Sequence, residues 1–316
     1  MLNRRHLRIK VLQALYAFYQ SHKSDILQGQ KELLSAIDRM YDLYLSLLLT
    51  LPELKSKGEH RLTENTKKLL PTDEDLNPNR KFVDNRIIKI IEEQPTLRAE
   101  SENRKVNWLG AVEQEIFRKM YLHIRESEIY FEFMNNGKDD FVDDKEFIVQ
   151  LFKKEVANFP ALYNYYEEKS IHWLDDIDLA CSMVIKTIKS FKEEEERYSI
   201  LPLYKEDDDE KDFIIQLFKR TIQLDEENVA LIDELTQNWE IDRIAKMDVI
   251  LMKMALTELQ VFSNIPTNVT LNEYIEISKF YSTPKSNVFI NGILDKAVLR
   301  LKKENKIQKT GRGLMK

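Results

Sequence analysis

Three arginines, Arg4, Arg5 and Arg8, crowd the start of an amphipathic stretch that also carries Tyr16. A guanidinium fork matches the geometry of a phosphate, and an aromatic ring can stack on an unpaired base. These residue types together point to single-stranded nucleic acid. A second group lies in Thr283-Pro-Lys-Ser-Asn-Val-Phe289. There a helix start offers free backbone N–H groups to a phosphate, Lys285 adds charge, and Phe289 offers a ring. Tyr16 and Phe289 suit plain core packing equally well, and the sequence leaves both roles open for each.

Catalytic chemistry does not rise above background. The chain has no Gly-x-Gly-x-x-Gly and no Walker loop. Its five histidines (His6, His22, His60, His123, His172) are scattered, with no pair at i, i+4 beside a glutamate. Cys181 is the one cysteine and sits on an apolar stripe with Met183, Val184 and Ile188, which predicts a buried, inert thiol and excludes an internal disulfide. Asn135-Asn-Gly-Lys-Asp-Asp reads as a turn, because it lacks the ligand spacing and closing glutamate of a calcium loop. The carboxylates come in solvated runs such as 193–196 and 206–210. No metal and no cofactor are expected.

The elements that must position the basic and aromatic residues are helical. Of 316 residues 43% are apolar and 32% charged, so the chain can bury a core; it has only 7 glycines. No apolar run is long enough to span a bilayer, and the start is not a signal peptide, so a cytoplasmic protein is expected. The net charge of −6 conceals an asymmetry. Residues 1–23 hold Arg4, Arg5, Arg8, Lys10 and Lys23 and no acid. Residues 296–316 hold eight bases against Glu304, which leaves the body between them strongly acidic. Such segregation favours a polyanion at the basic ends.

Leu7, Val11, Leu15 and Phe18 predict a first helix over 3–21. Arginines in its first turns oppose the helix dipole, at a few tenths of a kcal/mol each by order of magnitude, which hints at an anion nearby. Further helices are predicted over 31–51, stopped by Pro52, and over 85–93, 112–133 and 242–262. Thr270-Leu-Asn-Glu273 fits a capping box that opens a helix, and Thr283 with Pro284 fits an N-cap and first helical residue. That last helix runs to about 303. Gly292 inside it costs ~1 kcal/mol relative to alanine, which suggests the close approach of a helix or a ligand.

Phe147-Ile-Val-Gln-Leu-Phe-Lys-Lys154 matches Phe213-Ile-Ile-Gln-Leu-Phe-Lys-Arg220, and Trp173 and Trp239 fall at the same offset. An internal repeat follows, with copies at 143–191 and 209–257.

Several stretches now resemble, in order, the signatures of the NusB family of transcription antitermination factors. They are Arg4-Arg-His-Leu-Arg-Ile-Lys-Val-Leu-Gln-Ala-Leu-Tyr16, Trp239-Glu-Ile-Asp-Arg-Ile-Ala-Lys-Met-Asp248 and Ala255-Leu-Thr-Glu-Leu259. Ile265-Pro-Thr-Asn-Val-Thr-Leu-Asn-Glu273 and Phe289-Ile-Asn-Gly-Ile-Leu-Asp-Lys296 complete the set. The resemblance covers 1–24 and 210–303. It implies an all-α, NusB-like helical bundle of two subdomains. Residues 1–24 supply the basic, RNA-facing first helix and 210–303 the core. Residues 25–209 are then a helical insertion that contains repeat copy 143–191, and 304–316 a disordered basic tail.

The resemblance also implies function. Members of the family bind boxA elements of ribosomal RNA transcripts as single strands, together with the ribosomal protein NusE. They act on the RNA polymerase elongation complex and catalyse nothing. RNA contacts carry over to Arg4, Arg5, Arg8, Tyr16, Lys285, Ser286 and Phe289, and a partner-facing acid to Asp248. Three positions depart from the family pattern. His6 stands in the arginine run, Lys285 replaces an acidic or polar residue, and Lys253 replaces a common arginine. Two other readings remain. A module related to ribosomal RNA methyltransferases would need a Gly-rich domain after the helices, for which the chain has no room. A pure interaction scaffold would not need its basic first turn.

Overall fold

The computed structural model describes residues 2–21, 25–170, 173, 175–195, 198–204, 207–236 and 244–310. Among them every regular element is helical. Helices α1 (Arg4–Gln20), α2 (Ile26–Thr66), α3 (Asp73–Leu76), α4 (Arg86–Glu92) and α5 (Pro95–Arg104) come first. Next are α6 (Ala111–Glu126), α7 (Glu128–Asn135) and α8 (Phe141–Leu151), which runs into a π-helical turn at Phe152–Val156. Then follow α9 (Pro160–Lys169), α10 (Ile177–Ser190), α11 (Asp207–Gln223) and α12 (Asp225–Leu235). The last three are α13 (Lys246–Val261), α14 (Thr267–Tyr281) and α15 (Ser286–Lys303). The helices form two compact units, one of residues 1–37 and 204–316, the other of 38–203.

In the first unit α13 is the central helix, packed by α1, α11, α12, α14 and α15. Residues 250–259 are buried without interruption, so this helix is covered on all faces. Helix α1 starts as its sequence predicts. The Asn3 side chain accepts from the His6 backbone N–H at 2.9 Å, and the Asn3 N–H donates to the His6 ring nitrogen at 3.3 Å, a reciprocal cap.

The second unit closes around α2. Trp108 donates its indole N–H to the Ser46 carbonyl at 3.0 Å, and Phe133 stacks on Phe147 at 3.7 Å. Pro52 does not stop α2, which continues to Thr66. A proline inside a helix costs about 3 kcal/mol. Leu47, Leu48, Leu51 and Leu54 flank it and are all at most 1% exposed. Burying each is worth about 1.5–3 kcal/mol, so packing outweighs the break. The predicted helix over 112–133 is two helices, divided at Ser127, whose hydroxyl caps α7.

The repeat is visible in the elements. Advanced by the sequence offset, α8 with its π turn falls on α11, α9 on α12, and α10 on α13. Phe147, Ile148, Leu151 and Phe152 are buried in one copy as Phe213, Ile214, Leu217 and Phe218 are in the other. Trp173 donates to the Arg39 carbonyl at 2.9 Å; Trp239 lies outside the described residues. Cys181 is buried, and burial pushes its thiol up to about 12, as expected of an inert cysteine.

Four further local expectations differ from the structure. Helix α14 opens at Thr267, so Thr270 and Glu273 are interior residues and form no capping box. Their polar groups are instead bound to Glu258 and Arg5. Helix α15 opens at Ser286, after a turn through Thr283 and Pro284. Gly292 is exposed, and a Cβ built there meets nothing within 4 Å, so no helix approaches it. Residues 304–310 are fixed by hydrogen bonds: the Lys306 N–H donates to the Leu301 carbonyl and the Thr310 N–H to the Ser263 carbonyl, both at 2.9 Å. The rest of the expected disordered tail, with Arg312 and Lys316, lies outside the described residues.

Candidate nucleic-acid interface

Helices α1, α13 and α14 meet at a buried carboxylate. Glu258, in the last turns of α13, is 0% exposed. It accepts two hydrogen bonds from the Arg8 guanidinium, at 2.8 and 2.7 Å. Two more come from the Thr270 hydroxyl at 2.8 Å and the Tyr274 hydroxyl at 3.0 Å. Burial alone would lower the Arg8 pKa, but the hydrogen bond and charge of Glu258 outweigh it, and the pKa is raised. Arg8 is itself 1% exposed, so it locks α1 to the core and presents no guanidinium edge to a ligand. The implied RNA role of Arg8 therefore gives way to a structural one.

Arg5 and Arg4 stand one step further out. Arg5 makes a two-pronged pair with Glu273, at 2.9 and 2.8 Å, with its side chain still 42% exposed. That hydrogen bond holds the Glu273 carboxyl below the usual carboxylate range, against its partial burial. Arg4 lays its guanidinium 4.4 Å from the centre of the Phe213 ring, which pre-orients it without neutralising it. Together with Asn264, Ile265 and Pro266 of the α13–α14 loop, these arginines line an open cleft of about 610 Å³.

The second group sits at the other end of α13. Asp248, in the first turn of α13, accepts from the Ser286 hydroxyl at 2.7 Å and from the Ser282 hydroxyl. It is 5% exposed and so spans the N-termini of α13 and α15, where a negative charge is favoured. Asp248 is thus not presented to a partner protein, and Ser286, 2% exposed, is spent on it. Beside this pair, Ile244, Ala245, Pro284, Val288 and Phe289 line an apolar groove of about 700 Å³ with Lys285 at its rim. Lys285 is exposed and Phe289 half-buried.

Asp248 and Glu258 are ten residues apart on α13, about 15 Å along a helix axis. The two predicted groups are therefore separate, and α1 runs antiparallel to α13 between them. At its far end the Tyr19 hydroxyl donates to Asp225 at 2.6 Å, and Lys253 donates to the same oxygen at 2.8 Å beneath the Tyr19 ring. Lys253, flagged as a departure, thus holds α1 and α12 to α13. Tyr16 is 39% exposed and lies three turns from Arg5, on nearly the same face of α1. The structure therefore leaves Arg4, Arg5, Tyr16, Lys285 and Phe289 accessible, and turns Arg8, Ser286 and Asp248 inward.

Residue reading missed Glu258, Glu273, Tyr274 and Phe213, which fix where the arginines point. A usable signal was present: Glu258 is the one acid between Val249 and Phe262, and a charge on such an apolar helix demands a buried partner. Among the described residues no group of His, Cys, Asp and Glu could hold a metal ion, and no helix is long and apolar enough to cross a membrane.

Comparison with known proteins finds the NusB family model over residues 177–299. The match begins within the second unit and does not include α1. The transcription antitermination protein NusB of Salinibacter ruber is 44% identical over 110 residues, 35% of this chain and 69% of that protein. The protein of the same name from Chloroherpeton thalassium is 40% identical over 105 residues, 33% of this chain and 50% of that protein. That of Natranaerobius thermophilus is 38% identical over 92 residues, 28% of this chain and 66% of that protein. No solved structure matches.

Proposed function

The chain belongs to the NusB family, and from that membership we propose that it is an RNA-binding transcription antitermination factor that acts by binding and not by catalysis. Its ligand is a single-stranded, boxA-like segment of a ribosomal RNA transcript. Its protein partner is NusE, and its place of action is the RNA polymerase elongation complex. The observation that carries this reading is the pair of accessible sites joined by α1. One is a cleft with Arg4 and Arg5 for phosphates; the other is an apolar groove with Phe289 for a base and Lys285 for its phosphate. Tyr16 lies on the helix between them. Base stacking on an aromatic ring is worth about 1–3 kcal/mol, and each phosphate contact makes affinity salt-dependent.

The test is a titration of boxA-like and scrambled single-stranded RNA, at two salt concentrations, with and without a NusE homologue. The reading expects tighter binding of the boxA-like strand, further tightened by NusE. It also expects Arg4→Ala/Arg5→Ala to weaken binding of either strand and to reduce its salt dependence. Equal affinity for both strands, unchanged by the substitutions, would overturn it and leave the scaffold reading.

A further inference from the structure

Helix α14, like α1, runs opposite to α13, and its contacts fix its course. Its early Thr270 donates to Glu258, late in α13, at 2.8 Å; Ser282, directly after it, donates to Asp248, early in α13. The helix therefore passes from the arginine cleft to the apolar groove. Val269, Glu273, Glu276 and Phe280 follow one another on it at i, i+4, i+7 and i+11, which places them in one stripe. The stripe begins in the cleft, which Val269 and Glu273 line. Its far end, Phe280, is three residues from Thr283, which lines the groove. From Val269 to Phe280 it is about 16 Å long, or roughly five stacked nucleotide steps.

The two carboxylates of the stripe do not repel a phosphate strand, because both are paired. Glu273 holds Arg5, and Glu276 holds Lys279. The hydrogen bond to Glu273 raises the Arg5 pKa against its partial burial, and the charges of Glu273 and Glu276 add to it, so Glu276 too lies within reach of Arg5. Cations stand at both ends of the stripe, Arg4 in the cleft and the exposed Lys285 at the groove. What the stripe presents beyond these pairs is an aromatic ring. Phe280 lies in the last turn of α14 and is 81% exposed, so the fold makes little use of it. A single exposed apolar side chain is ordinary on a surface; the position of this one, between two cavities that suit RNA, is what carries the argument.

We propose that Phe280 is a base-stacking platform of the RNA site, the last step of a track along α14 that leads from the arginine cleft to the Phe289 groove. The inference rests on the RNA-binding reading above and adds a contact to it. A strand whose phosphates start at Arg4 and Arg5 lays a base on Phe280 before it reaches Phe289. Every base has a π-face, so this contact adds affinity without selecting sequence.

The experiment compares four full-length chains on boxA-like and scrambled single-stranded RNA over a range of salt: the unaltered protein, Phe280→Ala, Phe280→Leu and Phe280→Tyr. Loss of one stacked base costs about 5- to 150-fold in affinity. Phe280→Ala and Phe280→Leu should both show that loss on either strand. Their dependence on salt should stay that of the unaltered chain, because no phosphate contact is removed. Phe280→Tyr keeps the ring and should bind as the unaltered chain does. A ring that serves only the fold would lower the melting temperature of Phe280→Ala and leave affinity unchanged, which would overturn the inference. So would full affinity in Phe280→Leu, since leucine covers apolar area and offers no π-face. Either result leaves the RNA function standing. Absence of RNA binding by the unaltered chain would overturn both. A loss confined to binding of a NusE homologue would also refute the inference, by assigning the ring to a protein partner.

Discussion

At the residue scale the central question is which arginines are free. The sequence makes Arg4, Arg5 and Arg8 look equivalent, because type and spacing say nothing of which glutamate waits across the fold. Glu258 and Glu273 lie some 250 residues downstream, and the pairing forms only once α1 packs on α13 and α14. Removing the acid from the buried Arg8–Glu258 pair strands a charge, a loss of about 3–5 kcal/mol. Urea unfolding of Glu258→Gln should show that loss, and a cost below about 1 kcal/mol would show that the pair is not the lock described. Glu273 has a depressed pKa when folded, so its contribution to stability is present above the ordinary glutamate value of about 4.3 and is lost as pH falls through the folded value. His6 behaves in the related way. Burial, then Arg5, lowers its pKa, so the unfolded chain takes up its proton first and stability falls as pH drops below about 6.5. Thermal melts of Glu273→Gln should have a flatter acid limb below about pH 5. Melts of His6→Asn should lose the dependence between about pH 5 and 7.

At the element scale, periodicity revealed α1, α13 and α15, whose apolar stripes are long and regular. It misplaced element ends wherever tertiary contacts claim the capping groups. Thr270 and Glu273 have the spacing of a capping box, yet Glu258 and Arg5 occupy them inside α14. Pro52 has the look of a stop, yet the buried leucines on either side carry α2 past it. Gly292 is the converse case. It sits exposed within α15 with open space at its Cβ, so no packing reason keeps it small. Gly292→Ala should raise stability by about 1 kcal/mol through helix propensity alone. A stabilised variant that nonetheless loses affinity for RNA or NusE would locate a close contact there. A destabilised variant would contradict the open surface.

At the scale of the whole molecule, the repeat explains what the sequence could and could not say about residues 38–203. The offset match announced a copied segment, because buried apolar positions survive duplication as a pattern, and the structure shows that the copy comprises three helices. The copy does not carry the ionic groups: Lys192 stands at the offset of Glu258 and Ser182 at that of Asp248. The second unit thus repeats the scaffold without the groups that organise the candidate interface, and RNA contacts are expected in the first unit. The charge segregation read from the sequence is likewise redistributed. Part of the basic start is buried, because Arg8 and Lys10 are 1% and 4% exposed. The most direct test is backbone hydrogen exchange of the full chain, free and bound to a boxA-like single strand. Added protection is predicted at the start of α1, in the α13–α14 loop with residues 306–310, and at the start of α15. Protection confined to residues 38–203, or none at those three places at saturating RNA, would contradict the RNA interface described.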